Sequence, residues 1–187
     1  MKKLKISTLI LTLSLLLGGC SSDKEKTNKS ANSLLATNEI VLTALDNKQY
    51  VVKKAANGLD LDNAKGKVVI YDIFATWCPP CQAEASHLSS LQKKYKDKLR
   101  IIGVTVENNI DNNKLREFKK KYNADYTLVN SNENMYLIDE IAKQLHLGRD
   151  FGIPLMVLYK DGKLINYFRG ATEEEFIESD IKKALDL

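Results

Sequence analysis

Seven residues constrain this chain more than any other stretch: Val68-Val69-Ile70-Tyr71-Asp72-Ile73-Phe74. The run is nearly unbroken in its apolar character, which predicts a central strand covered on both faces. Ala75-Thr76-Trp77-Cys78-Pro79-Pro80-Cys81 follows directly. From residue 79 to about residue 98 the spacing becomes helical, with Cys81, Ala85, Leu88, Leu91 and Tyr95 on one face. Two cysteines therefore stand where a buried strand hands over to a helix. Free backbone N–H groups and the helix dipole at such a junction favour a thiolate.

The remaining segments extend the same alternation. Residues 40–45 and 49–53 flank Asp46-Asn47-Lys48 and predict a β-hairpin. Residues 57–67, with Gly58 and Gly66, read as a loop. A second buried strand is expected over 101–106. Asp111 can then cap a helix that turns Leu115, Phe118 and Tyr122 inward, and 127–129 reads as a short strand. A helix over about 133–147 places Leu137, Ile138, Ile141 and Leu145 inward. Residues 155–159 and 164–168 flank Lys160-Asp161-Gly162-Lys163, a strong hairpin signal. Thr172 and Glu175 form the pattern of a capping box, opening a last helix expected to bury Phe176, Ile177, Ile181, Ala184 and Leu185. The order is a hairpin and then β-α-β-α-β-α-β-β-α. It predicts an α/β fold whose central mixed sheet is parallel in the middle, gains antiparallel strands late and is flanked by helices.

The N-terminus carries a separate message. Lys2, Lys3 and Lys5 precede a mostly apolar run over 6–17, and Leu17-Gly18-Gly19-Cys20 follows. That is the pattern of a secretory signal, and the run is shorter than the ~20 residues a bilayer-spanning helix needs. Leu17-Gly18-Gly19-Cys20 also resembles the bacterial lipobox, which implies cleavage before Cys20 and lipid on its sulfur. Residues 1–19 are then a removed signal peptide. Residues 20–37, rich in Ser, Asn, Lys and Thr, read as the lipidated cysteine and a flexible spacer that spans ~50 Å when extended. Residues 38–187 form one domain. Loss of 1–19 removes three lysines and no acid, so the net charge falls from +4 to +1, and the basic balance does not indicate nucleic-acid binding.

Three cysteines are an odd number for an exported protein. With Cys20 lipidated, only Cys78 and Cys81 remain as a pair. Its loop is too short for the usual stabilisation by loop closure, so the pair calls for a chemical role. Two thiols do not fill a tetrahedral zinc shell, and His87 and His146 are far apart in sequence. No metal or other cofactor is expected. Cys78, as a partly exposed N-cap, is the expected nucleophile. Cys81, one turn inside and more buried, is the expected resolving thiol. Pro79 and Pro80 fit early helix positions and withhold N–H donors from the thiolate.

Trp77-Cys78-Pro79-Pro80-Cys81 behind a strand and opening a helix resembles the thioredoxin superfamily, in particular the membrane-tethered oxidoreductases of the TlpA/ResA kind. The element order supports this over most of the chain beyond the spacer. The resemblance implies a thioredoxin fold with an added N-terminal β-hairpin. It also implies that Asp72 is a buried acid/base group serving Cys81, where those tethered relatives commonly carry Asn. The alternative for Asp72 is a carboxylate paired with a lysine or lying at a strand edge. Glu84 matches a glutamate near the relatives' active site; its alternative is an exposed helix residue. Ser86 stands where they commonly have proline. Gly152-Ile153-Pro154 matches the superfamily's cis-proline loop, implying that the Ile153 backbone and Pro154 bind substrate. Trp77 either shields the site and meets partners or simply packs.

The function so implied is a lipid-anchored thiol–disulfide oxidoreductase of the bacterial envelope, on the periplasmic side. It would reduce exported proteins, apocytochrome c among the candidates, with electrons from a membrane donor, and act as a monomer. A disulfide oxidase or isomerase is the alternative direction. A copper-binding chaperone is a further one, disfavoured by the short cysteine spacing.

Overall fold

The computed structural model describes residues 38–56, 58–148 and 150–187; the expected signal peptide (1–19) and the expected lipidated Cys20 and spacer (20–37) lie outside the described residues. The elements in chain order are β1 Glu39–Thr43, β2 Gln49–Ala55, β3 Gly58–Leu61, β4 Val68–Phe74, α1 Pro79–Tyr95, β5 Leu99–Thr105, α2 Asn112–Lys121, β6 Thr127–Val129, α3 Asn134–Gln144, β7 Leu155–Lys160, β8 Lys163–Arg169 and α4 Glu174–Ala184.

The apolar run over 68–74 is the middle strand of a five-stranded sheet ordered β6-β5-β4-β7-β8, and all seven of its residues are buried. β4, β5 and β6 run parallel, while β7 and β8 are antiparallel. This is the mixed sheet expected from the element order. Successive side chains of a strand point to opposite faces, and β4 feeds two cores accordingly. Val68, Ile70 and Phe74 pack with Ala85, Leu88 and Leu91 of α1, Leu115 and Phe118 of α2, and Ile177 and Ile181 of α4. Val69, Tyr71 and Ile73 pack with Leu137, Ile138 and Ile141 of α3 and with Ile40, Leu42, Val52 and Leu59 of the N-terminal strands. Asp72 belongs by alternation to the first of these faces, the one that carries α1.

The N-terminal hairpin is present, but it extends into a three-stranded antiparallel sheet, β1-β2-β3. β3 corrects the loop expected over 57–67. Gly-Leu-Asp-Leu is short and opens with glycine, yet Leu59 and Leu61 are buried while Asp60 is exposed. A Cβ on Gly58 would run into the Gly162 carbonyl of the β7–β8 turn, so the glycine permits that backbone approach.

Two expectations for α4 are also corrected. Its N-cap is Glu173, with no side-chain cap bond, so the Thr172–Glu175 capping box does not form. Thr172 is committed elsewhere: its N–H donates to Glu84 Oε1 at 3.0 Å, and its hydroxyl donates to the Gly170 carbonyl at 3.2 Å. Phe176 is 64% exposed, because the buried stripe runs through Ile177 and Ile181, about 100° further round the helix. Among the described residues no helix is long and apolar enough to cross a membrane.

Gly103 fixes the fit of β5 against β6 and the residue just before it. A Cβ there would meet Leu128 Cδ2 at 2.6 Å and Tyr126 Cε2 at 3.0 Å. Gly103→Ala is expected to cost about 1–3 kcal/mol, the range for overpacking a filled core. Urea unfolding midpoints of the two proteins check this.

Candidate active site

The local sequence builds the site in a short span. β4 ends at Phe74, Ala75 to Trp77 turn the chain, and Cys78 caps α1. Pro79 and Pro80 occupy the first two helical positions, where no intrahelical N–H bond is lost. Cys78 has extended backbone angles, φ −85° and ψ 109°, and its sulfur accepts the Cys81 N–H at 3.3 Å. Cys78 and Cys81 are joined in a disulfide with a Cα–Cα distance of 5.3 Å. The predicted N-cap is therefore in place.

The predicted difference in exposure is not. Cys78 is 2% exposed and Cys81 4%. The Ile153–Pro154 bond is cis, and the Ile153 carbonyl oxygen lies 3.9 Å from Cys78 Sγ. The oxidised sulfur carries no hydrogen, so this is a packing contact. The proline loop covers Cys78 as fully as the helix covers Cys81. Pro154 is itself held by a bond from the Gly170 N–H to its carbonyl at 2.8 Å.

Both candidate carboxyls are buried. Asp72 is 3% exposed and Glu84 is 2% exposed. Asp72 is neither paired with a lysine nor at a strand edge: its Oδ2 accepts a 2.9 Å bond from the Tyr126 hydroxyl. Burial pushes its pKa up to about 7 against the opposing effect of that bond. Glu84 shares a helical face with Cys81, Ala85 and Leu88. Burial, and secondarily the charge of Asp72, push it up to about 8, opposed by the Thr172 N–H. Its second oxygen, Oε2, is buried without a partner. The layer between β4 and α1 thus holds two carboxyls that sense each other, and no buried Lys or Arg stands among the described residues to offset them.

Trp77 is 66% exposed. It lines a cleft of about 370 Å³ with Val106, Met135, Ile138, Asp139, Phe151 and Ile153, open beside the disulfide loop. The cleft is mostly apolar, with Asp139 as its charged member.

Sequence reasoning missed three groups. Tyr126 is one. Glu107 and Gln82 are the others, and they fasten the turn before Cys78. Glu107 Oε2 accepts the Thr76 N–H at 2.6 Å, and its Oε1 accepts the Thr76 hydroxyl at 3.1 Å. Gln82 Nε2 donates to the Thr76 carbonyl at 2.7 Å. Nothing local marks Glu107, which reaches the site only because β5 ends beside β4. Glu107→Ala strips the Thr76 amide of its partner, at an expected cost of about 1–3 kcal/mol. Hydrogen exchange checks it: the Thr76 amide is expected to exchange faster, with the amides of α3 unchanged.

Known proteins place this geometry. The profile of the Redoxin family matches residues 43–185. The thioredoxin-like protein YneN of Bacillus subtilis is 35% identical over 104 residues, a match spanning 47% of this chain and 61% of that protein. A thiol-disulfide oxidoreductase ResA of Bacillus cereus is 25% identical over 193 residues, 98% of each chain. Among solved structures, the thiol:disulfide interchange protein of Chlorobium tepidum superposes with a TM-score of 0.62 at 21% identity, covering 80% of this chain and 94% of that one. StoA of Bacillus subtilis superposes at 0.54 with 18% identity, covering 76% and 95%. These superpositions establish the thioredoxin fold.

Proposed function

The chain belongs to the Redoxin family and, with a dithiol pair at the head of α1, is of the thiol–disulfide oxidoreductase type; we propose that it is a lipid-anchored reductase of disulfides in exported proteins. The observation that carries the reading is the Cys78–Cys81 disulfide at a helix N-terminus, with a buried carboxyl on the same face of the adjoining strand.

In the reduced protein, Cys78 is the thiolate. It attacks a partner disulfide, forms a mixed disulfide and releases one partner sulfur, which takes a proton from solvent. Cys81 then loses its proton to the Asp72 carboxylate, and its sulfur attacks Cys78 Sγ. The Cys78–partner bond breaks, the second partner sulfur leaves as a thiolate, and the Cys78–Cys81 disulfide forms. Two electrons have passed to the partner. A membrane dithiol donor returns them. Glu84 sets the charge around the thiols. Ile153 and Pro154 hold the partner's backbone, and Trp77 with its cleft receives a side chain beside the partner cysteine. Apocytochrome c, with paired cysteines, is a substrate of the right chemistry.

Residues 1–19 serve as the removed signal, Cys20 takes the lipid, and 20–37 act as the tether that lets the domain work on the periplasmic side as a monomer. Support for this part is the charge and apolar pattern of the N-terminus. The full-length ResA similarity runs through the same segment. The test of direction is the reduction potential of the Cys78/Cys81 couple. A reductase is expected to lie well below about −150 mV; a value more oxidising than that, towards the range of known oxidants, contradicts it. Labelling with a radioactive fatty acid in cells tests the anchor: Cys20→Ser is expected to abolish incorporation, and label retained in that variant contradicts lipid on Cys20.

A further inference from the structure

Tyr126 plays no part in the reaction as written above, yet it is 4% exposed and its hydroxyl donates to Asp72 at 2.9 Å. It reaches Asp72 because Gly103, the partner of Asp72 in the β4–β5 register, leaves room for the Tyr126 ring. We propose that Tyr126 is a positioning residue: its hydroxyl, donating to the Asp72 carboxylate, offsets part of the cost of ionising Asp72 in this buried layer and so keeps Asp72 available as the base for Cys81. The assignment rests on the oxidoreductase reading of the site.

The physical reason lies in the pair. Two carboxyls in one dry layer do not ionise independently, because the first charge opposes the second. The donor that each receives favours its ionised form. Glu84 receives the Thr172 N–H at 3.0 Å, and its other oxygen has no partner. Asp72 receives the phenol. Burial first, and then the charges of Asp72 and Glu84, hold the Tyr126 proton on well above the ordinary range, so the phenol is a donor at every working pH.

The other elements of the layer do little to compete. On β4 the neighbours on the same face are Ile70 and Phe74, and across the sheet Asp72 pairs with Gly103 and Met156. α1 brings Cys81 and Glu84, with His87 one turn further on, its Nδ1 buried and unpartnered. Tyr95 is turned to Glu178 at 2.6 Å, α2 contributes Leu115 and Phe118, with its Lys119 ammonium turned to the Ala124 and Tyr126 carbonyls at 2.7 Å each, and α4 contributes Ile177 and Ile181.

Carboxyl-carbon NMR titration of the oxidised full chain is the test. The Asp72 midpoint is followed in the wild type and in Tyr126→Phe. In Tyr126→Phe it moves alkaline by about one pH unit or more, the effect of removing one hydrogen bond to a charged group. Fluorinated tyrosine, a stronger donor, moves it the opposite way and serves as a second probe where Tyr126→Phe is unstable. In the reduced protein the acid limb of the exchange rate against a disulfide peptide follows the same alkaline shift in Tyr126→Phe. It does not move when Tyr126→Phe is added to Asp72→Asn. An Asp72 midpoint that stays in place, a limb that fails to follow, or a limb shift that persists without Asp72 overturns the assignment. The NMR titration needs no redox partner, so a protein inert in exchange removes the oxidoreductase reading without being mistaken for a failure of the Tyr126–Asp72 contact.

Discussion

Asp72→Asn is expected to make the protein more stable at pH 8 by as much as about 4 kcal/mol, with almost no change below pH 4. The sign follows from linkage. The native carboxyl titrates near 7 against an ordinary 3.8, so the folded state holds its proton where the unfolded state has released it. Below both values neither state is ionised and the residue costs nothing. Between them stability falls as pH rises, by about 1.4 kcal/mol per unit. Above about 7 the penalty is complete. Asparagine carries no such penalty. Guanidinium midpoints at pH 4 and pH 8 for the two proteins measure the difference. Equal midpoint shifts at both pH values would contradict a buried ionisable Asp72. The variant is also expected to lose rate in the resolving step, because the carboxylate proposed to take the Cys81 proton is gone and Glu84 is left as the one carboxyl of the layer. A residue that destabilises the fold at working pH and speeds its chemistry is the signature of a functional carboxyl.

The second large effect concerns the cysteines. Cys78→Ser is expected to reduce exchange to the uncatalysed background, since no other thiol among the described residues occupies a helix N-cap. Cys81→Ser is expected to complete the first step and stop. Partner disulfide is then consumed to at most one equivalent, and the protein remains as an adduct. Turnover by Cys81→Ser at the wild-type rate would mean that exogenous thiol or a second protein resolves the intermediate. The two variants therefore separate attack from resolution in one assay, followed by the release of partner thiol with time.

Much of the fold was legible because its signals were local. The unbroken run at 68–74 declared a doubly covered strand, and the 3.6-residue spacing after Pro79 declared α1 with the cysteines at its head. Asp161-Gly162 marked the β7–β8 hairpin. The site was legible only where local pattern or resemblance touched it: Cys78, Cys81, Asp72, Ile153 and Pro154. Glu84 could be read either way, because a glutamate on a helix gives no sign of burial until the loop that covers it is placed. Here that loop is 170–172, and Thr172 left its predicted capping role to bond Glu84. Tyr126, Gly103 and Glu107 were not legible. Each matters through a partner 30 or more positions away in sequence, by the β4–β5 register, and no periodicity encodes such a pairing. β3 was lost to its length, four residues behind a glycine. The equal burial of the two sulfurs came from the proline loop, far along the chain from the helix that was expected to set their exposure.

The most direct measurement is mass-spectrometric mapping of the adduct formed when reduced Cys81→Ser meets a disulfide peptide. The account predicts one peptide per protein, attached through a reducible bond to Cys78. No adduct, or an adduct on another residue with Cys78 free, would contradict it.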